Sequence, residues 1–184
     1  MNRMFPAFAA VLLIPASAVH ALQAPPVNRD AQVLVDFKTR VEKYVELRKK
    51  LDHGTPTLKK TDDAAQIKEA QTALAQDIRR ARAGAKPGDI FTAEIAAEFK
   101  RLLHPEAKEP ETKAAIKDDN PGAIPFKVNE TYPEKATLST VPPSVLESLP
   151  KLPDNIEYRF VGKHLILRDM RANLVIDYIL NAIP

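Results

Sequence analysis

Ile156-Glu157-Tyr158-Arg159-Phe160-Val161-Gly162-Lys163-His164-Leu165-Ile166-Leu167-Arg168-Asp169 reads as two short strands folded about a two-residue turn. Glycine at the first turn position suits a type II′ turn, whose twist matches that of the flanking strands. Folding about Gly162-Lys163 sets Phe160 against Leu165, Tyr158 against Leu167 and Glu157 against Arg168. The first two pairs are apolar and share a face; the third is an ion pair on the other face. A slip of one residue would mix the faces, so the register is specified. A third run follows, which predicts strands at Ile156–Val161, His164–Asp169 and Leu174–Ile179 with a second turn around Met170–Asn173. Carried across that turn, the pattern places Leu167 opposite Ile176 and Leu165 opposite Tyr178. The expected buried face is then Tyr158, Phe160, Leu165, Leu167, Leu174, Ile176 and Tyr178. Three strands cannot bury such a face alone, so helices or a partner must cover it.

The opposite face interleaves charges with aliphatics. Glu157, Arg159, Ile166, Arg168, Val175 and Asp177 form a candidate partner-binding face, because an apolar surface carrying charges can dock a partner. The competing reading is an ordinary solvated face, with the long arginine stems lying over the aliphatic side chains.

Upstream the composition changes. Residues 105–153 hold nine prolines and read as a poorly regular connector that either wraps the domain or links two modules. An extended piece at Phe126–Thr131 and a short helix at Pro143–Leu149 are predicted within it. Further upstream the periodicity is helical. Asp30–Leu51 carries Leu34, Phe37, Val41, Tyr44 and Leu51 on one face. Asp62–Ala83, capped by Thr61, carries Ile67, Ala70, Leu74, Ile78 and Ala81. A third helix, Thr92–Leu103, carries Ile95, Phe99, Leu102 and Leu103, and a fourth is predicted at Pro110–Asp118. The fold class is α+β: an N-terminal helical hairpin plus a third helix, a Pro-rich connector, and a C-terminal three-stranded antiparallel meander. The expected division is a signal peptide over 1–21, a helical region over 22–104, the connector over 105–153 and a β-meander module over 154–184.

The N-terminus has the grammar of a secretory signal: Arg3, an apolar run from Phe5 to Ala18, and Val19-His20-Ala21 at the cleavage point, with Ala16-Ser17-Ala18 as a second site. The apolar run is too short to cross a bilayer, and no transmembrane segment is expected in the mature chain. Cysteine is absent, which removes disulfides and thiol chemistry and tilts an exported chain towards a bacterial periplasm or the medium. Residues 22–104 carry 16 basic and 12 acidic side chains, and residues 105–184 carry 10 and 12. A nucleic-acid binder concentrates basic charge on one face, so no nucleic-acid partner is expected. Asn129-Glu130-Thr131 matches a glycosylation acceptor triplet.

Two stretches carry a resemblance. Gly88-Asp89-Ile90-Phe91-Thr92-Ala93-Glu94-Ile95-Ala96-Ala97-Glu98-Phe99 resembles a segment of uncharacterised small exported proteins of Gram-negative bacteria. So does the run Leu149-Pro150-Lys151-Leu152-Pro153 with the hairpin that follows it. The resemblance implies location and no activity. The hairpin is also similar to the tail of periplasmic nickel/cobalt-homeostasis proteins, through a Val-Gly turn between short apolar strands.

A search for chemistry yields no catalytic, cofactor-binding or metal site. His53, His104 and His164 sit on three different elements and no cysteine joins them, so no metal is expected. Asp62-Asp63 and Asp118-Asp119 are adjacent acids, whereas acid–base catalysis needs groups held across a cleft. Ser139, Ser144 and Ser148 lie in the Pro-rich region, none in a nucleophile elbow. No cofactor is implied. The expected function is an exported non-enzymatic protein that binds another protein or an envelope component. The alternative is a hydrolase-type periplasmic enzyme whose site is assembled from scattered residues.

Overall fold

The computed structural model describes residues 28–52, 63–105, 108–110, 126–132 and 143–183. The segment expected to be a signal peptide, Thr61, most of the helix expected at Pro110–Asp118, and the pair Asp118-Asp119 lie outside them. Helices occupy the N-terminal half and a three-stranded antiparallel sheet the C-terminus, an α+β fold. Among the described residues no helix is long and apolar enough to cross a membrane.

Helix α1, Arg29–Asp52, buries Phe37, Val41, Tyr44, Val45 and Arg48 along one stripe. It packs against both α2, Ala64–Ala81, and α3, Ala93–Leu103. The cap of α2 is Asp63, whose carboxylate accepts the Ala65 N–H at 2.9 Å. That places an acceptor on an otherwise orphaned donor and leaves the Asp62-Asp63 pair with a capping member. Thr92 caps α3 through its hydroxyl, which accepts the Ile95 N–H. Ile67, expected on the buried stripe of α2, is instead 43% exposed, because the first turns of α2 run past the core. A short helix α4, Pro143–Glu147, precedes the sheet.

The sheet has the order β1-β2-β3, with β1 at Ile156–Val161, β2 at His164–Asp169 and β3 at Leu174–Ile179. Its first register is Glu157 opposite Arg168, Tyr158 opposite Leu167 and Phe160 opposite Leu165. Gly162 takes φ 53°, as the first position of a type II′ turn demands. The second register differs from the expected one. Leu167 pairs with Asp177 and Leu165 with Ile179, while Arg168 pairs with Val175. Ile176 is an extra residue, a β-bulge between Leu167 and Arg168 on the partner strand. The bulge turns both Ile176 and Asp177 to the helical side and moves Tyr178 to the opposite face.

That opposite face is covered by the chain itself. Residues 126–132 form a strap along β3: the Asn129 N–H donates to the Val175 carbonyl (2.8 Å), Val175 N–H to Glu130 (2.9 Å) and Tyr132 N–H to Asn173 (2.9 Å). Tyr132 packs with Val161, Ile166 and Val175, and Phe126 and Tyr178 close the cluster. The segment expected to be extended at Phe126–Thr131 instead turns at Val128–Asn129, where Asn129 takes φ 65° and the Glu130 N–H donates to the Lys127 carbonyl, and it bridges the sheet at Thr131 opposite Leu174. Arg79 and Arg82 of the α2 end tie it down. Arg79 donates to the Asn129 carbonyl and the Thr131 hydroxyl, and Arg82 to the Asn129 side chain. The Asn129 amide in turn donates to the Arg82 carbonyl at 2.7 Å, so the nitrogen that glycosylation would use is engaged in the folded state.

Helices and sheet share one core. Phe37 of α1 stacks on Phe91 and meets Phe99 edge-on at 4.8 Å, with Tyr158 of β1 at 6.4 Å. Two fully buried carboxylates stitch the layers together. Asp169 accepts the Tyr44 hydroxyl at 2.8 Å, Arg48 at 3.4 Å, and the backbone N–H groups of Arg171 and Ala172. Burial, and then the negative charge and hydrogen bond of Asp169, push the Tyr44 phenol well above its ordinary pKa. Asp177 accepts the N–H groups of Gly88, Ile90, Phe91 and Tyr178 at 2.8–3.1 Å, and so fastens the α2–α3 loop to the sheet.

Candidate functional site

In a three-stranded sheet of order β1-β2-β3 whose β3 edge carries the strap, the other edge belongs to β1. Alongside it runs a groove of about 610 Å³. One wall is β1 itself, from Ile156 to Arg159; the other is Leu146, Glu147, Leu149, Pro150, Lys151 and Leu152. The local sequence builds that second wall. Helix α4 stops after one turn and a half, with Ser148 donating its hydroxyl to Val145 and the Leu149 N–H reaching the Leu146 carbonyl. Pro150 and Pro153 then hold the chain off any ladder, because neither has an N–H to give. The Tyr158 hydroxyl donates to the Pro150 carbonyl at 3.0 Å and fixes the wall at its depth from the strand. Burial of that phenol raises its pKa.

Two of the four charged side chains that line the groove, Glu157 and Arg159, are paired with each other. Glu157 accepts from Nε and one terminal nitrogen of Arg159 at 2.7 Å and from Arg168 at 2.9 Å, all three side chains being half-buried. Arg168 also donates to the Asn173 side chain and lies 4.5 Å over the Tyr132 ring. Leu146 is 41% exposed at the mouth.

The six residues read from sequence as one partner-binding face are therefore divided. Glu157 and Arg159 line the groove. Ile166 and Val175 are fully buried beneath the strap, and Arg168 is pinned by it. Asp177 is on the helical side of the sheet, fully buried, because the bulge at Ile176 reverses its direction. Sequence reasoning passed over the groove's second wall. The available signal was Leu146-Glu147-Ser148-Leu149-Pro150-Lys151-Leu152-Pro153, where leucines recur in a stretch too proline-rich to bury them all in regular structure.

Other candidate chemistry does not converge. Among the described residues no three His, Asp or Glu side chains gather as a metal site would require. His104 is the C-cap residue of α3, and His164 accepts the Asn181 N–H through Nδ1 at 3.0 Å. His53, Ser139 and the Ser144 side chain lie outside the described residues. The chain matches no protein-family model, no curated protein and no solved structure.

Proposed function

We propose that the protein is exported and acts by binding another protein of the cell envelope, without catalysing a reaction, through the groove along β1. The observation that carries this reading is the groove: a largely apolar channel of about 610 Å³ beside a strand edge, with the half-exposed Leu146 at its mouth. Cavities of several hundred Å³ are the size at which recognition sites occur. The signal-type N-terminus supports export, and the envelope is then where a partner is met.

Leu146→Asp tests the contact surface. The side chain is at the surface, so the variant keeps its fold, while a carboxylate at the mouth opposes an apolar partner. Tagged wild type and Leu146→Asp are used to capture proteins from native envelope extract, and each retained species is quantified by mass spectrometry. A species enriched by the wild type and lost from Leu146→Asp is the expected result. Identical capture profiles would remove the groove from consideration. N-terminal sequencing of the recovered protein should start at Leu22 or Val19; intact Met1 in the cytosol would remove export.

A further inference from the structure

We infer that the occupant of the β1 groove is an amphipathic helix of a partner protein, seated apolar face down, with a basic residue set against Glu147 and an acidic one against Lys151. The inference rests on the reading of the groove as a binding surface and names the shape and charge of what it takes.

The main chain gives the first argument. The two walls use their main-chain groups on each other. Pro150 and Pro153 have no N–H. The Pro150 carbonyl holds the Tyr158 hydroxyl at 3.0 Å, the Pro153 carbonyl holds the Ile156 N–H at 3.1 Å, and the Leu149 N–H is bonded to Leu146. On β1, Ile156 and Phe160 are buried. An extended segment laid here finds few open partners for its own N–H and C=O groups, and such groups are costly to leave unmet away from water. A helix brings them already paired along its length and asks the groove only for apolar contact. The scale fits. From Ile156 to Arg159 a strand advances about 10 Å, and two turns of helix advance about 11 Å. Two turns present apolar side chains at i, i+3 or i+4, and i+7 on one face, against Leu146, Leu149, Leu152, Ile156 and Tyr158.

Charge gives the second. Glu157 and Arg159 are bonded to each other. The other two charged groups on the groove, Glu147 and Lys151, are exposed and have no ion-pair partner among the described residues. They are of opposite sign and belong to the same wall. A single-headed anion such as a fatty acid would match Lys151 and leave Glu147 unmatched. A helix with polar flanks carries both signs beside one apolar face and matches both. Lys151 and Leu152 also border a second depression of about 230 Å³ on the side of α1. This wall has space behind it and can yield as a helix about 10 Å across settles in.

The test reads the shape and the charge of what binds. Random peptides of about 14 residues, roughly four turns of helix, are displayed on phage and selected against the purified protein. Enriched sequences are expected to share apolar residues at i, i+3 or i+4, and i+7, with an acid and a base on the flanks. A selected peptide, once synthesised, should gain helical ellipticity on binding, and Leu146→Asp should remove the binding. The double variant Glu147→Lys/Lys151→Glu exchanges two exposed charges, and circular dichroism establishes that it is folded. It should bind that peptide about two- to tenfold more weakly and recover with a peptide whose flanking charges are exchanged. Enriched peptides with alternating apolar residues, a bound peptide that gains no helix, a charge exchange that leaves the affinity unchanged, or no enrichment at all would overturn the helix. If Leu146→Asp still loses an enriched peptide or a captured envelope protein, the groove stands and only its occupant changes. If it loses neither, the groove reading falls with the helix; dodecanoate binding to the wild type and not to Leu146→Asp would then assign the groove to an acyl chain.

Discussion

Single side chains decide how the layers are held. The non-glycine residues with positive φ among the described ones are Asn129, Asn155, Asn173 and Asn181. Asparagine is among the few residues that enter the left-handed region at modest cost, and Asn155, Asn173 and Asn181 each mark a strand end. Asp177 is the more informative case. As a sequence it sits in an alternating strand and reads as polar and outward. The bulge that turns it inward changes the count of residues and not their type, so alternation could not reveal it. Its carboxylate serves Ile90 and Phe91 N–H groups at 2.8 Å, and both residues are buried. Removing it strands those donors away from water, each at about 1–3 kcal/mol. Asp177→Ala is expected to lose about 2–5 kcal/mol, and Asp177→Asn, which keeps one acceptor oxygen, to fall between it and wild type. Urea midpoints measure this. An Asp177→Ala midpoint indistinguishable from wild type would show that the α2–α3 loop is anchored elsewhere.

At the level of elements, legibility followed locality. The β1–β2 register was readable because two residues of turn leave one pairing that sorts the faces. The β2–β3 register was not, since the inserted Ile176 shifts every later pair by one. The strap was half readable. A non-helical segment there follows from its composition, but the turn at Asn129 replaces the extended run expected, and its seat on β3 joins Asn129 to Val175; nothing local encodes a pairing over that distance. The strap also changes what Arg168 does. Read from sequence it is half of an exposed ion pair worth about 0–1 kcal/mol. In the fold it binds Glu157 and Asn173 and covers Tyr132. Arg168→Ala is therefore expected to cost about 1–2 kcal/mol, from a lost cation–π contact and charged hydrogen bonds. Phe160→Ala, which empties a site 2% exposed, should cost about 3–5 kcal/mol. Chemical denaturation of both variants ranks them. Equal losses would mean that strap and core unfold as one packed unit.

For the whole molecule, the Pro-rich connector left open whether helices and sheet are one body. The packing answers it, because Phe37, Val41 and Ile78 of the helices join Phe160, Leu165 and Leu167 of the sheet in a single cluster. α1 touches the sheet through Tyr44, Arg48 and the Phe37 ring, and α3 through the Phe99 ring, which meets Tyr158 edge-on. One core predicts one transition. Helical ellipticity and near-ultraviolet tyrosine signals should lose structure at the same urea concentration. A chain ending at Pro153 should show no cooperative transition, having lost the surface on which its helices pack. Separate midpoints for the two signals, or a cooperative transition in the shortened chain, would restore the picture of two modules on a linker.

The bond between Tyr44 and Asp169 joins residues 125 positions apart. A ribosome working at about 5–20 residues per second makes the first of them about 6–25 s before the second. Throughout that interval the apolar stripes of α1 and α2 have no sheet to rest on, and the two ends of the core exist at different times. Completion waits for the last strands to be synthesised. Under the export proposed above, this delay would keep the polypeptide threadable, and the sheet, made after the helices, would act as a timer on folding as well as a floor for them.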